Sequence, residues 1–143
     1  MSSIKRILLV LLFSLPLLAS EQRDAEKVLL KYKHAFHMDD WKIVLVLDTL
    51  KNIQERFHDT HALASSEWVF AEHTGTLYVM RLSEYTKEVK DSLLGPKAKK
   101  KRSFPKKDQK NSIVHELVHV VVEFACLGYP EGVVTMLTEA IDP

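Results

Sequence analysis

Ile113-Val114-His115-Glu116-Leu117-Val118-His119-Val120-Val121-Val122 is the stretch that decides how this chain folds. Taken residue by residue, its valines argue for a strand, because β-branched side chains lose rotamer freedom in a helix. Its angular pattern argues the other way. With about 100° per residue and His115 at zero, His119 falls near 40°, Glu123 near 80° and Glu116 near 100°. Every aliphatic residue except Val122 lies outside that arc. The flanks carry helix signals: Asp108 suits an N-cap, Gly128 suits the position after a helix end, and Pro130 suits the first turn of a following helix. The spacing predicts a helix from Asp108 to Leu127, apolar over most of its circumference and therefore central and buried. A second helix is expected to run from Pro130 to the C-terminal residues.

On a helix, His115 and His119 stack one turn apart on one face, about 6 Å between Cα atoms. Each ring can then put a nitrogen about 2.0–2.1 Å from a single zinc ion. Glu116 sits beside that face, where it can take a proton without being a ligand itself. This is the H-E-x-x-H pattern. The arc holds no Lys, Arg, Gln or Ser, and aliphatic residues flank it on both sides, which keeps a metal site dry. A catalytic zinc takes three protein ligands. If the two C-terminal helices turn near Tyr129, His119 and Glu139 stand at equal heights, which makes Glu139 the candidate third ligand. Glu123, one turn beyond His119, is the competitor.

Upstream, Ala25, Val28, Leu29, Tyr32, Ala35 and Phe36 recur at helical steps, predicting a helix from Glu21 to Met38. Trp41 to Leu47 reads as a buried strand and Leu50 to His58 as a short helix. Glu67 to Glu72 and Thr76 to Leu82 read as two strands turning at His73-Thr74-Gly75. Tyr85 to Leu93 is expected to be a short helix, and residues 94–108 a mobile basic loop. The fold class is α+β: a small mixed sheet packed on the histidine-bearing helix, followed by a second C-terminal helix.

The first 20 residues resemble a removable secretory leader, with Lys5 and Arg6, an apolar run from Ile7 to Ala19, and a small-residue exit at Leu18-Ala19-Ser20. The run is too short for a comfortable membrane span, which needs about 20 residues. Residues 21–143 then form one domain, expected to be secreted or periplasmic. Its lone Cys126 excludes an internal disulfide and suits a buried structural thiol. The whole chain has a net charge of +1. The charge is uneven, because eight of its bases and a single acid lie between Leu94 and Lys110. The Lys97 to Lys107 stretch could hold anionic polymers or lipid headgroups. With only Phe104 among the lysines, nucleic-acid recognition is not expected. His34 with His37, and His58 with His61, read as surface histidines near helix ends.

Ser112-Ile113-Val114-His115-Glu116-Leu117-Val118-His119, followed by Leu137-Thr138-Glu139-Ala140-Ile141-Asp142, resembles the active-site core of the gluzincins, the thermolysin-like zinc metallopeptidases. The resemblance spans about Asn111 to Asp142. It implies a minimal zincin-like domain, one Zn2+ held by His115, His119 and Glu139, and Glu116 as general base in peptide hydrolysis. The family's supporting Asp follows its ligand Glu by four residues; here Asp142 follows by three. The family also places a Tyr or His after the third ligand to support the oxyanion, and none follows Glu139 here. His73 and Tyr78 are the upstream candidates for that role. Thr76, Leu77, Tyr78 and Val79 are expected to be the edge strand that a peptide substrate would extend. The alternative is a weak or inactive zincin-like secreted module that binds anionic partners through its basic loop.

Overall fold

A computed structural model describes residues 3–86, 105–124 and 137–141, giving the backbone alone over 3–16. Helix α1 spans Ser3–Ala35 and runs unbroken through the expected processing point after Ser20. It ends before the predicted Met38, with the Met38 N–H returning to the Lys33 carbonyl at 2.8 Å and His37 in the left-handed region at φ 57°. Strand β1 is Lys42–Asp48 and helix α2 is Leu50–Phe57. Thr49 caps α2, its hydroxyl accepting from the Asn52 N–H at 3.2 Å. Strand β2, Ala64–Val69, passes through a 3-10 turn at Phe70–Glu72 into strand β3, Thr74–Met80.

The hairpin therefore sits two to three residues earlier than its turn signals suggested. Gly75 is a strand residue, paired with Trp68 across the ladder. The Trp68 ring lies where a Cβ on Gly75 would stand, 2.0 Å from the nearest ring atom. This glycine serves a close approach, and His73, at φ 53°, makes the turn.

The sheet order is β1-β3-β2, with β1 parallel and β2 antiparallel to β3. One face packs on α1 and on helix α3, Pro105–Phe124, through a core that includes Leu29, Trp41, Leu45, Leu77, Val79, Ile113 and Leu117. The opposite face carries Tyr78 and Met80 against Ile53 of α2 and Tyr85. Successive β3 side chains thus serve opposite cores, as the strand period requires. Gln109, buried on α3, ties the elements together: its Nε2 donates to the Met80 carbonyl at 3.0 Å and to Glu21 of α1 at 3.1 Å.

The valine-rich segment is helical, as the angular reading required. Burial against both α1 and the sheet outweighs its weak helix propensity. Helix α3 begins at Pro105, not at a cap on Asp108, because proline has the φ and the missing N–H that the first turn tolerates. Asp108 instead lies in that first turn, where a carboxylate meets the positive end of the helix. Residues 105–108 therefore belong to a helix and not to the expected loop. Val122, expected on the wet arc, is buried, while Val121 is exposed. A short helix, α4, covers residues 137–141. The expected helix start at Tyr85 is replaced by a 3-10 turn at Leu82–Glu84. The rest of that helix, Lys97 to Phe104 of the basic run, the Gly128 and Pro130 signals, Cys126 and Asp142 lie outside the described residues.

Candidate metal centre

Helix α3 delivers His115 and His119 to one face, and their Nε2 atoms stand 3.1 Å apart. The two rings meet edge to face, 4.7 Å between centroids at 77°. With both nitrogens at the usual 2.0–2.1 Å from one ion, that separation subtends an angle of roughly 95–100°, near tetrahedral. A Glu116 carboxylate oxygen completes a group in which all three donor atoms lie within 4.8 Å of one another. Two imidazoles with a carboxylate beside them suit zinc and its neighbours in the first transition row. The residues present fit a metal ion.

Glu116 is only 7% exposed. A charged carboxylate so buried needs hydrogen bonds. Ser66 of β2 supplies one, its hydroxyl donating to Glu116 Oε2 at 2.8 Å. Next along α3, the Ser112 hydroxyl donates to the Asp108 carbonyl and accepts from the Tyr85 phenol at 3.0 Å. Burial pushes the Tyr85 phenol well above its ordinary value near 10, and the Ser112 bond offsets only part of this.

The histidines open into a cleft of about 680 Å3. One wall is α3, with Asn111, Ser112, His119 and Glu123; the other is Asp59, His61 and β2 as far as Trp68. Among the described residues β2 pairs with β3 alone, which leaves its other edge open within the sheet. The expected edge strand is corrected here. Thr76, Leu77, Tyr78 and Val79 lie in β3, whose two sides are already paired to β1 and β2, so no peptide can extend it.

The two oxyanion candidates point elsewhere. Tyr78 faces the α2 core, packed on Phe57 at 5.4 Å and covered by the Arg56 guanidinium at 4.5 Å. His73 stacks on Trp41 at 4.8 Å and bonds Asp40 through Nδ1 at 2.7 Å. Neither lines the cleft. Glu139 lies on α4, exposed, and is part of neither the three-residue cluster nor the described cleft lining. Glu123 does line the cleft. Ser66 was invisible to spacing arguments, being 50 residues upstream of its partner, and His61 carried only a surface reading.

Compared with protein-family models, curated proteins and solved structures, the chain matches none. Fold and site together define a small α+β protein with an H-E-x-x-H cluster that can hold a metal ion. Among the described residues, no helix is long and apolar enough to cross a membrane.

Proposed function

We propose that this protein is a zinc-dependent metallopeptidase. The observation that carries the reading is the 3.1 Å approach of two imidazole Nε2 atoms beside a buried carboxylate, opening on a cleft walled by an unpaired strand edge. His115 and His119 hold the ion. Bound there, zinc supplies Lewis acidity, bringing the pKa of water toward about 7 and polarising a carbonyl. Glu116 takes the proton of the attacking water and returns it to the leaving amine as the peptide C–N bond breaks. An extended peptide lies along the open edge of β2, adding main-chain hydrogen bonds as an extra strand would. Glu139 enters as third ligand on sequence spacing alone. The leader-like first 20 residues support a secreted or periplasmic location.

The test is Glu116→Gln on zinc-loaded protein with a peptide library. Cleavage should fall by a factor of about 100 or more, the range of general-base catalysis, while zinc affinity stays within a few-fold. Cleavage at the wild-type rate removes Glu116 as the base. Cleavage by the wild type that survives a chelator removes the metal from the reaction.

A further inference from the structure

We propose that Ser66 is a positioning residue for Glu116, fixing the carboxylate in the orientation from which it takes the proton of water; this rests on the peptidase reading. A glutamate side chain has several rotatable bonds, and a general base must hold one direction to act. The 2.8 Å bond from Ser66 Oγ to Oε2 restrains that freedom. Its donor stands on a rigid element. Ser66 pairs with Leu77 in the ladder, between Ala64 and Trp68, which both pack into the core shared with α3. Glu67 faces the other way, toward Arg56 and the Tyr78 hydroxyl. This register turns Ser66, rather than the adjacent Ser65 paired with Tyr78, toward Glu116. The strand that holds the base also forms the open edge of the cleft, so peptide docking and base orientation are built on one element.

The experiment compares Ser66→Ala and Ser66→Thr with wild type, in two arms. In metal-free protein labelled with 13C-glutamate, the carboxyl resonance that disappears in Glu116→Gln should shift in Ser66→Ala and return in Ser66→Thr. In zinc-loaded protein, Ser66→Ala should lower kcat roughly 10- to 100-fold, as loss of an orienting partner does. KM for the best library peptide and zinc Kd should stay within about twofold, and Ser66→Thr should restore kcat. An unmoved resonance overturns the proposal, because the bond is then absent in solution. A shifted resonance with unchanged kcat also overturns it, leaving a purely structural tie, as does a kcat loss matched by weaker zinc binding. A wild type that cleaves no peptide overturns the peptidase reading and the positioning role with it, even where the resonance shifts.

Discussion

Gly75→Ala is a one-carbon perturbation whose cost follows from the structure. The added Cβ would stand 2.0, 2.4 and 2.7 Å from three atoms of the Trp68 ring. Carbon atoms pack at about 3.5–4.0 Å, so the indole has to retreat by roughly 1.5–2 Å. Two responses are open. If the ring stays and the strands shift, the overpacking costs about 1–3 kcal/mol. If the partly buried ring swings out, about 100 Å2 of apolar surface returns to water, costing about 2–3 kcal/mol, and its edge contact with Trp41 at 5.8 Å is lost. The cheaper route sets the cost, about 1–3 kcal/mol, a fall in Tm of roughly 3–10 °C for a domain of this size. Urea and thermal melts followed by circular dichroism measure it. The clash has a specific signature in a double-mutant cycle with Trp68→Leu. Removing the indole makes room, so Gly75→Ala should cost under about 1 kcal/mol in that background. Gly75→Ala within 0.5 kcal/mol of wild type, on the order of a neutral surface change, or an undiminished penalty in the Trp68→Leu background, would refute the packing argument.

Three further outcomes are expected. Zinc at about 100 times its Kd should stabilise the wild type by about 2.7 kcal/mol, visible as a Tm rise that His115→Ala and His119→Ala abolish; an equal rise in either variant would mean that the ion binds elsewhere. Glu139→Ala should weaken zinc binding at least tenfold by calorimetry, on the order of a lost ligand partner; unchanged affinity there together with a loss in Glu123→Ala would move the third ligand onto α3. For Tyr85, the folded phenol titrates above the unfolded one, so above pH 10 the unfolded chain binds fewer protons. The stability it contributes is complete below pH 10 and drains away as pH rises beyond it, by roughly 1 kcal/mol per pH unit at first. Tyr85→Phe should flatten this alkaline slope in urea melts taken between pH 9 and 11, and an unchanged slope would refute the assignment.

The His115–His119 pair was legible because its geometry is internal to one helix. A four-residue step fixes which side chains share a face, and no other element has to be known. The same locality made the positions of α2 and β1 and the α+β class readable, though β1, expected to be buried, is a sheet-edge strand with only Leu45 buried, and it let an angular pattern outrank valine propensity in α3. It failed where a residue's meaning depends on what lies across from it. Gly75 carries the local signal of a turn, and only the Trp68 ring shows that the missing Cβ makes room in a strand. Thr76 to Val79 alternate as an edge strand would; their central place follows from β1 and β2 both choosing β3 as partner. His73 and Tyr78 have suitable chemistry but face an aromatic cluster and the α2 core. Ser66 reaches Glu116 only because the antiparallel register lays β2 along α3. The two histidines and their helix could be read from the chain alone, since their spacing is set by bonded geometry. The tertiary structure alone decided the sheet order, the open edge and the hydroxyl that steadies the carboxylate, since strand partners are chosen by packing between residues far apart in the chain.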